Sequence, residues 1–167
     1  NVQYDTSAAE PTDAGSYAVT ADFTPNDLAN YNSLNGAGAG SFTIAKAATT
    51  TALSCNAGPF TFTGAAITPC AASVTGPGGL SLVLTVSYAS NTGAGTASAA
   101  ASYGGTANYF GSTDSTTFTI AKADPVLAVT NSPQVYNGTA KTANIVATAT
   151  AGTVNGVLSN VEYGLSA

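Results

Sequence analysis

Hydrophobic and polar positions alternate along much of the chain. Tyr17, Val19, Ala21 and Phe23 alternate with Ser16, Ala18, Thr20 and Asp22, the period-two pattern of a strand with one buried face. Leu82, Leu84, Val86 and Tyr88 form another such face, and Phe42/Ile44 and Phe118/Ile120 two shorter ones. Between them stand glycine-rich turn signals, Gly76-Pro77-Gly78-Gly79, Gly104-Gly105 and Asn155-Gly156. A helical period never persists beyond a turn or two. The best short helix is Pro25 to Ala29, with Thr24 as its cap. Short strands separated by Gly/Pro turns predict an all-β fold of the sandwich type. An Ig-like arrangement is favoured within that class, with a β-grasp-like one as the alternative.

The pattern repeats. Phe42-Thr43-Ile44-Ala45-Lys46-Ala47 recurs as Phe118-Thr119-Ile120-Ala121-Lys122-Ala123, an offset of 118 − 42 = 76. Ala29-Asn30-Tyr31 recurs as Ala107-Asn108-Tyr109, and the block Gly15 to Phe23 aligns with Gly95 to Tyr103. After each Ala-Lys-Ala, Phe62-Thr63-Gly64-Ala65 corresponds to Tyr136-Asn137-Gly138-Thr139, and Val86-Ser87-Tyr88 to Val161-Glu162-Tyr163. These blocks are expected as strands. The alignment predicts tandem Ig-like β-sandwich repeats: residues 1–47 the second half of a repeat, 48–122 one complete domain, and 123–167 the first half of a third.

Asn1-Val2-Gln3-Tyr4 with Ser7-Ala8 also matches Asn160-Val161-Glu162-Tyr163 with Ser166-Ala167, so both ends share one phase of the repeat. The expectation is a mature or excised chain, with no signal peptide in view. It is either a window of a longer array or a subunit whose C-terminal half completes the N-terminal half of the next copy. A half-domain alone leaves its apolar face and strand edges uncovered.

Pro11-Thr12-Asp13-Ala14-Gly15-Ser16-Tyr17-Ala18-Val19-Thr20-Ala21, followed by Asn30-Tyr31-Asn32, resembles the MBG-type repeat of bacterial surface proteins. The aromatic-x-Gly elements at Phe62-Thr63-Gly64 and Tyr136-Asn137-Gly138 are similar to an element of the same repeat. The resemblance implies an extracellular Ig-like tandem repeat of the kind found in adhesins, stalks and secreted surface proteins. It implies no catalytic residues.

Composition narrows the chemistry. Only 7 % of the 167 residues are charged, with a net charge of −5, against about 25 % in an average soluble domain. His, Met, Trp and Arg are absent, and the cations are Lys46, Lys122 and Lys141. Three scattered lysines cannot neutralise a nucleic-acid backbone. Without His there is no Ser-His-Asp or Cys-His catalysis and no ordinary zinc or haem site. The longest apolar runs fall far short of a membrane-spanning helix. With 44 % hydrophobic residues and a positive mean hydropathy of +0.19, the chain lacks the signature of disorder. No metal, cofactor or catalytic residue is expected.

Cys55 and Cys70, 15 residues apart, flank Phe60-Thr61-Phe62-Thr63-Gly64. Two thiols are too few for a zinc site and do not form a Cys-x-x-Cys redox motif, so a structural disulfide is expected, with an oxidising compartment. In the third segment the equivalent positions fall near Asn131 and Asn144, where side-chain hydrogen bonds are expected to stand in for the staple.

The eight carboxylates, Asp5, Glu10, Asp13, Asp22, Asp27, Asp114, Asp124 and Glu162, are scattered. They are expected in solvated turns rather than as the facing pair of a glycosidase. Asp22, Asn26 and Asp27 follow no known calcium-loop spacing, so a weak calcium site there is disfavoured. A Lys141–Asn isopeptide bond would need a buried lysine of depressed pKa, and a solvated lysine is favoured. Most Tyr and Phe residues sit on the inward phase of their strands, which favours core packing. Tyr31, Tyr109 and Phe110 lie in loops and are the candidate exposed contacts.

The expected function is a non-catalytic structural module of a secreted or cell-surface filament, sheath or stalk, partnered by copies of itself. The alternative is a ligand-binding adhesin module recognising a glycan or host protein.

Overall fold

The computed structural model of the chain describes residues 1–164. It is an all-β, sandwich-like protein, and among the described residues its regular structure is thirteen strands and a single 3-10 turn. The strands are β1 (Val2–Tyr4), β2 (Gly15–Phe23), β3 (Leu34–Ile44), β4 (Thr50–Cys55), β5 (Phe60–Thr61), β6 (Cys70–Gly76), β7 (Leu80–Leu84), β8 (Ser87–Ala89), β9 (Gly95–Tyr103), β10 (Ser112–Ala121), β11 (Val126–Val129), β12 (Ile145–Ala149) and β13 (Gly152–Val154). They form four sheets, ordered β1-β2-β3, β4-β6-β7, β5-β10-β9-β8 and β11-β12-β13.

Two compact units result. One is made of Asn1–Ser54, Ala71–Val86 and Ala101–Asp114; the other takes Cys55–Cys70, Ser87–Ala100 and the described residues from Ser115 on.

In the first unit, β2 pairs antiparallel with both β1 and β3. Tyr17, Val19 and Ala21 are half-buried and Ser16 and Ala18 exposed, as the alternation predicts. The exceptions are Thr20, half-buried on the outward phase, and Phe23, at 58 % exposed. Register shifts between Val19 and Thr20 and between Ala21 and Phe23 put extra residues on β3. Each such bulge breaks the two-residue phase of β3; Phe23, the last residue of β2, pairs beyond the second one with Leu34, which is itself exposed. The Asp22 carboxylate accepts the Gly36 amide at 2.7 Å beside the second shift. The expected helix at Pro25 to Ala29 is instead one turn. Asp27, not Thr24, accepts the amides of Ala29 and Asn30, and Tyr31 N–H reaches the Asp27 carbonyl at 3.1 Å. A lone turn has no apolar stripe to bury and does not propagate.

In the same unit β6 and β7 form an antiparallel hairpin closed by the 3-10 turn Pro77–Gly79, where the sequence places Gly-Pro-Gly-Gly. A polar seam joins β4 to the start of β10. Thr51 Oγ1 lies 2.7 Å from Ser112 Oγ and donates to the Ser112 carbonyl, and Leu53 N–H donates to Asp114 at 2.8 Å.

In the second unit β8 pairs antiparallel with β9, and β5 adds parallel to the end of β10. The rings of Phe60 and Tyr88 both meet Phe118 edge-on, at 5.5 and 6.3 Å between centroids. The third sheet, β11-β12-β13, is antiparallel throughout.

Several local expectations fail. Val161-Glu162-Tyr163, Ala29-Asn30-Tyr31 and Ala107-Asn108-Tyr109 are not strands. The aromatic-x-Gly blocks at Phe62 and Tyr136 leave the strand geometry and turn at Gly64 and Gly138. Buried positions are also smaller than expected. The buried hydrophobic residues are Ala72, Val74, Ala97, Ala99, Ala101 and Ile120, so Tyr and Phe rings line the margins rather than the centre. Alternate alanines on β9 leave no large side chain to hold neighbouring groups apart. The correspondence drawn at Ser166 and Ala167 lies outside the described residues.

Candidate functional site

The best-defined local site surrounds the cysteines. Cys55 ends β4 and Cys70 begins β6, and a disulfide joins them. Asn56 N–H donates to the Pro69 carbonyl at 2.9 Å beside the bond. Tyr88 grips Cys70 twice: its hydroxyl accepts the Cys70 amide at 2.9 Å and donates to the Cys70 carbonyl at 3.0 Å. Asn91 fixes the loop further along, donating to the Ile67 carbonyl and receiving the Ile67 amide. No sequence signal marked Tyr88 for this role beyond its place in a repeated Val-x-Tyr block.

At Asn131 and Asn144 a hydrogen-bonded clasp occupies the place of a staple. Asn131 accepts the Asn144 amide at 2.7 Å and donates to the Thr142 carbonyl at 2.8 Å. Tyr163 accepts the Ala143 amide at 3.0 Å, a partial counterpart of the Tyr88–Cys70 contact.

The block Ala107-Asn108-Tyr109, marked in the sequence only as a repeat and for an exposed Tyr109 ring, is a polar junction centred on Asn108. Asn108 accepts the Ala14 amide at 2.7 Å and donates to Asp13 at 2.8 Å. Its carbonyl receives the Ala47 amide, and the Ala47 carbonyl receives the Phe110 amide. Lys46 donates to the Thr106 carbonyl at 2.8 Å. Tyr109 is half-buried, and its hydroxyl donates to the Pro77 carbonyl. Of the three candidate contact rings, Tyr31 and Phe110 are the exposed ones, at 66 % and 57 %.

Five of the eight carboxylates, Asp5, Asp13, Asp22, Asp27 and Asp114, accept hydrogen bonds, and Asp22 and Asp114 do so from strands β2 and β10 rather than from the expected turns. Asp5 accepts the Ala18 amide, Asp22 the Gly36 amide and Asp114 the Leu53 amide. Asp27 is held below the usual carboxylate range, chiefly by the Asn30 side-chain amide; desolvation opposes this, and the Asn30 and Ala29 backbone amides each add a smaller downward pull. Among the described residues no three His, Cys, Asp or Glu side chains gather as metal ligands. No helix there is long and apolar enough to cross a membrane. Lys141 is exposed.

The chain is therefore a disulfide-stapled all-β protein whose polar side chains hold turns and junctions. No protein-family model, curated protein or solved structure matches it.

Proposed function

We propose that the chain is a non-catalytic structural repeat of an extracellular filament, sheath or surface stalk, in which residues 1–47 and 123–167 are half-repeats around one complete domain at 48–122. The observation that carries this reading is where burial falls. Apart from Pro25, every buried residue among those described lies between Thr51 and Ile120. Of the 19 exposed large hydrophobic residues among those described, 6 lie in the first segment, 3 in the middle and 10 in the last. Apolar residues uncovered at both ends of a chain call for partners at both ends.

Recurring geometry supports the repeat. Tyr4 stands opposite Val19 on β1 and β2, and Tyr88 opposite Ala99 on β8 and β9. The sequence alignment pairs these same positions. Tyr4 meets Phe42 edge-on at 5.8 Å as Tyr88 meets Phe118. The sheets β4-β6-β7 and β11-β12-β13 share one strand order. The disulfide fits an oxidising, extracellular setting, and low charge lets copies pack without long-range repulsion. Negative-stain electron microscopy and light scattering of the 167-residue chain test the proposal. Concentration-dependent rods or fibrils are expected, and monodisperse monomer at all concentrations refutes self-association.

A second reading rests on the exposed rings of Tyr31 and Phe110, which could stack on a sugar in an adhesin module. Saturation-transfer NMR against a glycan panel, with loss of signal in Tyr31→Ala, would favour it.

A further inference from the structure

One tyrosine recurs three times, and its three settings form an internal comparison. Val2-Gln3-Tyr4, Val86-Ser87-Tyr88 and Val161-Glu162-Tyr163 occupy the same place in the repeat. In the middle, Tyr88 makes a full set of contacts. It stands opposite Ala99 on β9, its ring meets Phe118 edge-on, and its hydroxyl holds the Cys70 amide and carbonyl at the start of β6. The end segments divide that set. Tyr4 has the strand and the ring: it stands opposite Val19 on β2 and meets Phe42 edge-on. Tyr163 has the hydroxyl: it accepts the Ala143 amide at 3.0 Å, just before β12. Tyr163 lies outside every strand and is 68 % exposed.

Burial divides in the same way. Ala97, Ala99 and Ala101 of β9 are buried, whereas their counterparts on β2, Tyr17, Val19 and Ala21, are only half-buried. Val74 of β6, opposite Leu82, is sealed, whereas Ala147 of β12, opposite Val154, is half-buried. Thr51, four residues before Cys55, is buried, whereas Leu127, four before Asn131, is 57 % exposed. Leu127, Ala147 and Val154 share one face of β11-β12-β13, and an open groove of about 580 Å³ runs across it. Each end segment is open where the middle of the chain is closed.

Charge selects what covers it. Thr68 lies two residues before Cys70, and Ala89 follows Tyr88; both are uncharged. At the matching places stand Lys141, two residues before Ala143, and Asp5, directly after Tyr4. Both are exposed. The residue after Tyr163 is the uncharged Gly164.

We infer that Tyr4 of one copy displaces Tyr163 from the Ala143 amide of a second copy, bringing β1-β2-β3 over the open face of β11-β12-β13 with Asp5 beside Lys141. The inference rests on the filament reading and specifies its joint. β1 stays on β2 throughout. The displaced hydroxyl gives up one exposed hydrogen bond, the incoming one replaces it, and the apolar faces leave water. The two surfaces differ, so the contact is heterologous and passes from copy to copy.

The test measures the concentration at which the 167-residue chain and its variants assemble, by light scattering and negative-stain electron microscopy at low salt. Tyr4→Phe keeps the ring on Phe42 and removes the hydroxyl, so it should raise that concentration roughly fivefold. Tyr163→Phe removes only the competitor and should leave it unchanged or lower it. Asp5→Lys and Lys141→Asp each place like charges at every joint and should each raise it roughly fivefold. An equimolar mixture of those two chains pairs opposite charges at alternating joints and should recover wild-type assembly, which a misfolded variant would not do. If wild-type chain assembles and Tyr4→Phe does so equally well, if Tyr163→Phe is the weaker one, or if the mixture fails to recover, the joint is wrong and the filament reading stands. If wild-type chain stays monomeric at all concentrations, both fall.

Discussion

Removing the Cys55–Cys70 bond should lower stability by an amount set by the loop it closes. The sequence separation is 15, for which the chain-entropy relation gives about 3 kcal/mol at 25 °C. The native loop keeps other tethers: the Asn56–Pro69 and Ile67–Asn91 backbone bonds, the Tyr88 clasp on Cys70 and the contact of Phe60 with Phe118. Reduction should therefore leave the fold in place and act mainly by freeing the denatured chain. For a cooperative unit of this length, 3 kcal/mol corresponds to a fall in Tm of about 6–12 °C. The assay is urea and thermal unfolding by far-ultraviolet circular dichroism, with and without reductant, alongside Cys55→Ser/Cys70→Ser. Tyr88→Phe removes two hydrogen bonds to Cys70 and should cost about 1–3 kcal/mol. The bond acts on the unfolded chain and Tyr88 on the folded one, so the two losses should add to within about 0.5 kcal/mol. A loss below about 0.5 kcal/mol on reduction, or strong coupling between the two changes, refutes this account.

Three further outcomes are expected. The Tyr103 hydroxyl is buried with no hydrogen-bond partner, so Tyr103→Phe should hold or raise stability, by up to about 1–3 kcal/mol, in the same urea assay. At Gly105 (φ +80°) an added Cβ would sit 2.7 Å from the Tyr109 carbonyl oxygen and 2.8 Å from the Gly111 nitrogen, while at Gly79 (φ +84°) it meets open space. Gly79→Ala should cost only the left-handed backbone strain, about 1–2 kcal/mol, and Gly105→Ala clearly more; equal losses would show that the Gly105 turn yields. The depressed pKa of Asp27 stabilises the 27–31 turn above the unfolded pKa, and this is lost as pH falls through the folded value. Carboxyl titration by NMR should therefore find Asp27 below 3.8, and Asn30→Ala should move it upward.

Much of this architecture was legible because it is local. Alternation located β2, Gly76-Pro77-Gly78-Gly79 located a hairpin turn, and a lone cysteine pair in a chain without His left little but a disulfide; the single face expected of Leu82, Leu84, Val86 and Tyr88 is instead divided between β7 and β8 in two sheets, with Leu82 50 % exposed. What escaped depends on partners distant in sequence. Phe23 reads as inward by the alternation of β2, but it ends that strand beyond two bulges in the pairing with β3 and stays exposed. The buried alanines of β9 alternate with Thr96, Ser98 and Ala100, a contrast too slight for a hydrophobic pattern to register. The Asn108 junction was visible only as part of a repeated block, since an asparagine's two-sided amide gains its meaning from Ala14 and Asp13, 94 and 95 residues away.

The two copies of Phe-Thr-Ile-Ala-Lys-Ala show why burial cannot be assigned to a segment by its sequence. With β5 beside it, the isoleucine of the second copy is sealed; in the first copy the parallel neighbour begins only at Ala47, which bridges Tyr109, and the isoleucine stays half-buried. Parallel strand addition explains the difference, because a neighbour satisfies the edge amides and carbonyls and covers the side chains at once.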